Sequence, residues 1–489
     1  MPKYVCTLAF CVIAVVGLCP DILVPKVYGL AESTGLNGSN AQAVHDLGQI
    51  GQDVNVGLIA WDNARTTHEA FYDKDSNGNP IGTTHAFSYD FTNDGTRISN
   101  HDTYVAGIVA SRGGFYYPNY IGVAPGVDIH SAKVIENDGG YIFSYLNNAL
   151  QSLITNYQCR VIVTGIAFGS VPDGQSPETM LYDYYAYQYD VVFANPAGNE
   201  GSVIAVFGDA YNGITTGGLR VTDPDVYLRV GSVSGSGPTS DGRRKPDIVA
   251  PAQNQTVPTG GGDTIWTPVG GSGGETSYST PHTAGVAALL LGLADSTPEP
   301  NDNHNEVIKA VIINSTFPNI NDKLNNQTNP SDVNNTWNCD RGYGRIDALR
   351  AYELLDTNQV ATDVNITGQK GWGFGTLAVD EEHTYKICVQ QQCRLLVTLT
   401  WDRRIEWTDK RHGPGNPKNG LIDSDELLPY LADLDLIIYG PNDSNTIFSE
   451  QKNNLEPNDN LEKCDILLVT AGDYTVKIVN DSNNDETAD

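Results

Sequence analysis

Positive charge is scarce in this chain of 489 residues. Lysine and arginine number 29 against 59 aspartates and glutamates, so the formal net charge is −30 at pH 7. A field of that sign repels nucleic acid and anionic membrane surfaces, and we expect neither as a partner. The same excess of carboxylates suits a soluble protein that binds hard cations such as calcium.

Extremes of composition are also absent. Apolar residues make up 40% of the chain, and there are 50 glycines and 25 prolines. These ordinary values exclude a collagen, a coiled coil and a wholly disordered polymer. At the usual domain size, the length of the chain predicts two or three domains.

Long apolar runs are absent too, except at the start of the chain. Residues 4–19 follow Lys3 and form an apolar run that is short for a membrane span. Small residues come next, and Gly29, Leu30 and Ala31 resemble a cleavage site. This pattern predicts a secretory signal peptide over residues 1–31 rather than a membrane anchor. We therefore expect a secreted, extracellular protein without a membrane span once the signal is removed.

Cysteine is sparse, and the count beyond the predicted signal is odd. Of the eight cysteines, five lie after residue 31: Cys159, Cys339, Cys388, Cys393 and Cys464. An odd count implies at least one free thiol or an intermolecular bridge. Cys388 and Cys393 fit either a disulfide across a hairpin or two unpaired buried thiols.

Between residues 45 and 355, short apolar runs alternate with helical patterns. Buried strands that alternate with helices predict an α/β layered fold around a mainly parallel sheet. The apolar runs are residues 54–61, 129–134, 161–166, 191–194 and 227–230. The candidate helices are residues 103–110, 144–154, 280–294 and 306–314.

The pattern changes beyond residue 359. Short apolar runs are there separated by turns rich in Asn, Asp, Gly and Pro, which is typical of an antiparallel β-sandwich or barrel. These runs are residues 395–400, 434–439, 466–469 and 474–479. The change predicts a first domain over residues 32–355 and a β-sandwich domain over residues 356–489.

Residues 276–285 (TSYSTPHTAG) follow a glycine-rich stretch and precede an apolar helix. Pro281 is tolerated in a first helical turn, where N–H groups have no helical partner. Ser277 then lies at the positive end of a helix dipole, which favours a developing oxyanion. On these residues alone, a glycine-rich loop that caps a buried helix is an equally good interpretation.

Three further polar residues are placed where chemistry is possible. His101 begins a helix rich in small residues, although a lone histidine is usually a surface or capping residue. Asn199 follows an apolar strand and is either a turn residue or an amide donor to an anion. Asp62 follows the strand of residues 56–61, and ligands bind at the carboxyl ends of strands in such sheets.

In chain order these residues are Asp62, His101, Asn199 and Ser277, and together they resemble the subtilisin-like serine protease (subtilase) family. The resemblance covers about residues 45–355. The family's pattern Thr-Ser-x-[Ala/Ser]-x-Pro-His-x-Ala-Gly is complete around Ser277. Other matching segments are residues 61–69 (WDNARTTHE), 100–107 (NHDTYVAG), 197–201 (AGNEG) and 245–251 (KPDIVAP).

This resemblance implies a subtilisin-like three-layer α/β fold and a secreted serine endopeptidase that forms an acyl-enzyme. Ser277 would be the nucleophile, His101 the general base, and Asp62 the acid that orients the imidazole. The Asn199 side chain would donate to the oxyanion. Residues Ala167, Phe168 and Gly169 align with the stretch that walls the pocket for the side chain before the scissile bond. Substrate backbone would add there as a strand.

The partners implied are protein or peptide substrates, and the protein is expected to be a monomer without an organic cofactor. Structural calcium is expected because the family often binds it. The candidate ligands are Asp73, Asp75 and Asn77, which alternate before a glycine as in an EF-hand loop. The loop lacks the distal glutamate, and a solvated loop is the alternative. Residues 423–425 and 433–435 are further candidates.

Some residues differ from the family pattern. Asp102 follows His101 where the family has glycine, and this extra carboxylate would raise the pKa of His101 or disturb its packing. Tyr104 replaces a second histidine. Glu275 replaces a glycine near Ser277 and either crowds the oxyanion site or points to solvent. An ungapped strand match places Ala60, and not Asp62, at the acid position.

Residues 395–479 resemble the β-sandwich domains attached to many secreted bacterial subtilases, through residues 433–436 and 472–476. Two other functions stay open. One is a catalytically inactive, subtilase-like binding or adhesion protein. The other is a carbohydrate- or surface-binding protein whose function lies in residues 359–489.

Overall fold

The computed structural model describes residues 4–14, 30–169, 171–223, 226–271, 273–326, 337–363, 365–366, 369–409, 422–441, 445–449 and 459–481. Its helices are α1 (Leu30–Thr34), α2 (Ala41–His45), α3 (Asn100–Ala110), α4 (Phe143–Gln151), α5 (Pro177–Tyr189), α6 (Thr280–Ala294), α7 (Asn305–Asn314) and α8 (Ala348–Leu355). Short 3₁₀ turns lie at Glu69–Phe71 and Thr276–Tyr278, and a π-helical turn at Ser152–Asn156.

The strands up to residue 269 are β1 (Tyr4–Ala14), β2 (Asn55–Ala60), β3 (Asp73–Lys74), β4 (Pro80–Ile81), β5 (Ala86–Asp90), β6 (Asp128–Lys133), β7 (Cys159–Thr164), β8 (Val192–Pro196), β9 (Ile214–Asp223), β10 (Val226–Val230), β11 (Ile248–Pro251), β12 (Gln255–Pro258) and β13 (Trp266–Val269). Those that follow are β14 (Asn365–Ile366), β15 (Lys370–Leu377), β16 (Glu382–Val389), β17 (Cys393–Trp401), β18 (Arg404–Trp407), β19 (Leu427–Tyr430), β20 (Leu434–Tyr439), β21 (Thr446–Ser449), β22 (Leu461–Leu468) and β23 (Gly472–Asn480).

An eight-stranded sheet organises the described residues between 30 and 355. Its strands follow the order β10-β9-β8-β7-β2-β6-β5, and β11 pairs with β9. The pairs are parallel except for β10 with β9. The carboxyl ends of the parallel strands therefore meet at one edge of the sheet, where binding sites of α/β folds are found.

Helices cover both faces of this sheet. One apolar core contains residues of α3, α6, α7 and α8, and a second core on the other face contains residues of α4 and α5. Helix α6 is buried along its whole length, because apolar side chains surround it instead of forming a stripe. The predicted α/β fold with a mainly parallel central sheet is confirmed.

Helix α5 was not predicted, although its start carries a clear signal. Ser176 caps it by accepting a hydrogen bond from the Thr179 N–H, and Pro177 occupies the first helical position. The helix is rich in tyrosine on several sides, so it shows no apolar stripe. The periodicity on which the other helices were recognised is therefore absent there.

The chain beyond residue 365 forms mainly antiparallel sheets, as predicted. One sheet has the order β15-β1-β17-β22 and another the order β14-β16-β23-β20-β21. Buried side chains of β17, β20, β22 and β23 share one apolar core, so the two sheets pack against each other. Their apolar residues alternate along the strands, as in Leu434, Leu436 and Ile438 of β20.

Strand β1 belongs to this second part of the protein. It lies between β15 and β17 and is antiparallel to both. Residues 4–14 of the apolar run at the start of the chain form this strand, and no helix of the described residues is long and apolar enough to cross a membrane. The signal peptide over residues 1–31 stays a prediction, because the structure does not report on cleavage.

The C-terminal sheets dock on α5 and α7. Arg403 and Asp183 form an ion pair at 2.5 Å, with side chains only 2% and 0% exposed. The Thr400 hydroxyl donates to the Glu306 carbonyl of α7 at 3.0 Å. The Lys463 ammonium donates to the Ile313 carbonyl of the same helix at 2.6 Å. Buried polar contacts therefore fix how the second part sits on the first.

Cys159, Cys339, Cys388 and Cys393 are free thiols. Cys388 is exposed on β16, whereas Cys393 is buried in β17. Cys388 and Cys393 therefore do not form the hairpin disulfide. They are two unpaired thiols, of which only Cys393 is buried.

Candidate active site

A cleft of about 630 Å³ lies at the carboxyl edge of the central sheet. It forms where the chain leaves β2, β7 and β8, beside the start of α3 and the turn before α6. Its lining includes every residue predicted to act in catalysis or substrate binding: Asp62, His101, Ala167, Phe168, Gly169, Asn199 and Ser277. Residues far apart along the chain are thus gathered at one place.

His101 projects from the first turn of α3, whose N-cap is Ser99. Its side chain is 38% exposed, so the imidazole is open to the cleft. Its Nδ1 lies 3.3 Å from Asp102 Oδ1, and the Asp102 side chain is completely buried. The other carboxylate oxygen of Asp102 accepts from the Ser99 hydroxyl at 2.7 Å and from the Asp62 backbone N–H at 3.0 Å. The carboxylate beside His101 is therefore held from several sides.

Asp62, which is predicted to orient the imidazole, lies two residues past the end of β2 and lines the same cleft. Its Oδ1 accepts from Arg97 Nε at 2.8 Å, and among the described residues no hydrogen bond joins its carboxylate to His101. The carboxylate next to His101 Nδ1 is that of Asp102. The role of Asp62 stays a prediction.

Ser277 lies on the 3₁₀ turn Thr276–Tyr278, directly before α6. Its side chain is half-buried and faces the same cleft as His101. The rings of His101 and Tyr278 are 6.1 Å apart, which places this turn next to the start of α3. Within the described part of the chain no hydrogen bond joins Ser277 Oγ to His101. A contact of this kind commonly tightens only when substrate is bound.

The Asn199 amide is oriented by Thr276. Asn199 Oδ1 accepts from the Thr276 backbone N–H at 2.8 Å and from its hydroxyl at 3.1 Å. Because the amide oxygen is engaged there, the Nδ2 donor is directed elsewhere, and Asn199 lines the cleft beside Ser277. This is the arrangement that an amide donor to an oxyanion requires.

Residues Ala167, Phe168 and Gly169 form one wall of the cleft, after the end of β7. Ala167 and Gly169 are exposed, and the Phe168 carbonyl accepts from the Val206 N–H at 3.2 Å. The Phe168 ring lies 4.8 Å from that of Tyr141. The wall thus combines accessible backbone with an aromatic side chain that is fixed from behind.

Glu275 does not line the cleft. A Cβ added at Gly273 would lie 3.2 Å from Glu275 Oε1, so the carboxylate lies against the glycine-rich loop. Its Oε2 is buried and has no hydrogen-bond partner among the described residues. Glu275 was expected either to crowd the oxyanion site or to point to solvent. Its carboxylate does neither, because it lies against the glycine-rich loop.

His282, in the same motif as Ser277, is fully buried inside α6. Its Nε2 lies 3.1 Å from Gln255 Oε1. Burial lowers its pKa to about 3. This imidazole stays neutral at ordinary pH and belongs to the core, not to the cleft.

The loop with the predicted calcium ligands makes contacts within the protein. Asp75 Oδ1 accepts from the backbone N–H groups of Asn77 and Asn79 at 2.8 and 2.9 Å. Asp73 pairs with Arg112 at 3.2 Å and with His85 at 3.4 Å. Calcium binding by Asp73, Asp75 and Asn77 stays a prediction.

The fold and the cleft can be compared with known proteins. The model of the Subtilase family matches residues 52–345 of this chain. Pyrolysin of Pyrococcus furiosus is 29% identical over 266 residues, which are 48% of this chain and 18% of pyrolysin. Subtilisin E of Bacillus subtilis is 28% identical over 269 residues, 54% of this chain and 62% of that protein. The chain thus spans less than two thirds of both relatives.

Two further proteins are similar to this chain. A subtilisin of Bacillus pumilus is 28% identical over 262 residues, covering 53% of this chain and 83% of that protein. The crystal structure of a cold-adapted subtilisin-like serine proteinase superposes with a TM-score of 0.43 at 22% identity, over 57% of this chain and 88% of the other.

Proposed function

Because the chain belongs to the subtilase family, we propose that it is a serine endopeptidase that hydrolyses peptide bonds through an acyl-enzyme. One observation carries the proposal. A single cleft is lined by a serine, a histidine next to a buried carboxylate, and an amide whose oxygen is already engaged. These are the groups that acyl transfer to serine needs.

The proposed reaction has two stages. In the first, Ser277 Oγ attacks the peptide carbonyl carbon while His101 takes the hydroxyl proton. The same proton then passes to the leaving amine, and the C–N bond breaks to give the ester. In the second, water attacks the ester with His101 again as base, and the acid product leaves with Ser277 restored.

Asp102 is proposed as the acid that orients His101, in place of Asp62. Its Oδ1 is the carboxylate oxygen next to His101 Nδ1, and its complete burial strengthens an interaction with the imidazolium that forms during the reaction. Asp62 contributes through its backbone N–H, which donates to the other oxygen of Asp102. Its own carboxylate is neutralised by Arg97.

The oxyanion of the tetrahedral intermediate would receive hydrogen bonds from Asn199 Nδ2 and the Ser277 backbone N–H. The two hydrogen bonds from Thr276 to the Asn199 amide oxygen support this role, because they orient the Nδ2 donor before substrate binds. A donor of this kind typically contributes about 10²–10³ to kcat. Glu275 lies against the glycine-rich loop and leaves the approach to Asn199 clear.

Peptide or protein substrates are proposed to bind along residues 167–169. The exposed backbone there is suited to pairing with an extended substrate strand, and Phe168 would contact the side chain before the scissile bond. Action outside the cell, after removal of a signal over residues 1–31, is also proposed. The apolar run after Lys3 is the support for it.

Labelling with a fluorophosphonate probe tests the proposal. The full chain should form a stable adduct at neutral pH, and the Ser277→Ala variant should form none. Ser279→Ala is the matched control, because Ser279 is a buried serine of the same motif and its hydroxyl donates to the Thr276 carbonyl. Absence of an adduct in a folded wild-type protein would leave the binding or adhesion function in its place.

A further inference from the structure

A second group of polar side chains, none of which lines the cleft, lies where α5 ends and α7 begins. Asp190 is the C-cap of α5 and has left-handed backbone geometry, and His304 is the N-cap of α7. Asp190 Oδ2 lies 2.6 Å from His304 Nδ1, and Asp190 Oδ1 accepts from the Asn305 N–H at 2.6 Å. Glu306 adds a second carboxylate, only 6% exposed.

The donor atoms of this group converge. One oxygen of Asp190, one ring nitrogen of His304 and one oxygen of Glu306 all lie within 4.8 Å of one another. No other group of three or more His, Cys, Asp and Glu side chains in the described residues meets that spacing. The Phe374 ring of β15 is stacked 4.1 Å from the His304 ring at 7°, which fixes the orientation of the imidazole.

A third carboxylate reaches the group from the C-terminal sheets. Asp402 Oδ2 accepts from Asn305 Nδ2 at 3.0 Å, but its Oδ1 is buried and has no hydrogen-bond partner among the described residues. The same holds for Asn305 Oδ1, and both residues are at least 95% buried. Buried oxygens of this kind are costly when they are left without a donor or a cation.

The carboxylates of Asp190, Glu306 and Asp402 thus lie around the start of α7. The one lysine of that helix, Lys309, has its ammonium directed at the Tyr211 carbonyl, to which it donates at 2.5 Å. A divalent cation held where the donor atoms converge would offset the carboxylate charge.

We propose that Asp190, His304 and Glu306 bind a divalent transition-metal ion of the Zn²⁺ type, supported by the buried Asp402 carboxylate. One imidazole nitrogen with carboxylate oxygens is a ligand set that suits Zn²⁺, whereas Ca²⁺ takes oxygen ligands only. The ion would join the end of α5 to the start of α7. Through Asp402 it would also tie both helices to the C-terminal sheets.

Metal binding is measured on the full chain carrying Ser277→Ala, which prevents self-digestion and makes the test independent of catalysis. After treatment with EDTA and dialysis, ZnCl₂ is added and bound zinc is measured by equilibrium dialysis. We expect one Zn²⁺ per chain more than in the His304→Gln variant. Zn²⁺ at about 100 times its Kd should raise the unfolding midpoint by about 2 °C or more, and the variant should lose this rise.

His85→Gln is the matched control, because His85 pairs with the Asp128 carboxylate at 2.6 Å but lies outside this group. It should bind as much Zn²⁺ as its parent. Asp190→Asn is the second variant, used if His304→Gln does not fold, and it should also lose the ion. Equal zinc binding by the parent and a folded variant overturns the proposal. So does Ca²⁺ raising the midpoint as much as Zn²⁺ in the parent but not in the variant.

Discussion

At the scale of single residues, the main observation is that the carboxylate next to His101 belongs to Asp102, whereas that of Asp62 pairs with Arg97. The ungapped match of β2 places Ala60 at the acid position, and the strand indeed ends at Ala60. A carboxylate is still present next to His101, but it comes from the following residue in α3. The motifs around His101 and Ser277 predicted that both residues line one cleft, and they do. The contact between Asp102 and His101 entered the sequence analysis only as a departure from the family pattern, because a motif does not show which carboxylate the imidazole meets.

If Asp102 orients the imidazole as proposed, two conservative variants should differ in their effects on kcat. Asp102→Asn should lower kcat by about 10⁴, because the imidazole loses the carboxylate that fixes its tautomer and stabilises its cation. Asp62→Asn should change kcat by less than about tenfold, because its backbone N–H to Asp102 remains. The measurement is steady-state hydrolysis of a peptide substrate across pH. The reverse order of effects would restore Asp62 as the orienting acid.

At the scale of elements, local patterns predicted some boundaries to the residue and missed other elements. Helix α6 and strand β20 begin and end as the sequence predicts, since each is a largely apolar run bounded by polar or turn-forming residues. Helix α5 lacks an apolar stripe, and β1 has the composition of a signal peptide. Ser277 lies on a 3₁₀ turn directly before α6, in agreement with the predicted helix of residues 280–294.

Helix α6 also predicts a response to acid. Burial holds the pKa of His282 at about 3, against 6.5 as its usual value. Between these values the unfolded chain binds a proton that the folded chain does not, so stability falls as pH falls from about 6.5 toward 3. His282→Gln should make the free energy of unfolding less steep in this range, by up to about 1.4 kcal/mol per pH unit.

Urea unfolding of the Ser277→Ala chain at a series of pH values measures this slope. Ala288→Gly in the same helix is the control, because it destabilises α6 without removing a titrating group. It should lower the whole stability curve and keep the slope of the parent. An unchanged slope in His282→Gln would mean that the imidazole is protonated in the folded protein.

At the scale of the whole molecule, the two parts of the chain are joined by buried polar contacts. The ion pair of Arg403 with Asp183, and the hydrogen bonds from Thr400 and Lys463 to α7, all cross the junction. None of these contacts leaves a local pattern, because each links residues more than 90 positions apart. The sequence therefore predicted both folds but not how they dock.

The junction predicts a large loss of stability when one member of its ion pair is removed. Arg403→Ala leaves the buried Asp183 carboxylate without its cation, and the free energy of unfolding should fall by about 3–5 kcal/mol. Arg160→Ala removes an exposed pair with Asp295 and should cost no more than about 1 kcal/mol. Chemical denaturation of the Ser277→Ala chain compares the two. Similar losses would show that the buried pair adds nothing beyond a surface pair.

Because β1 lies in the middle of its sheet, the arrangement of β15 and β17 depends on a segment from the start of the polypeptide. Its backbone pairs with β15 on one side and β17 on the other, along most of its length. If a peptidase cut after residue 31, these two neighbours would face each other across the width of one lost strand. Loss of a leader and retention of this four-stranded arrangement therefore exclude each other. Edman sequencing of protein isolated from its natural source would show whether residues 1–31 are removed or β1 is retained.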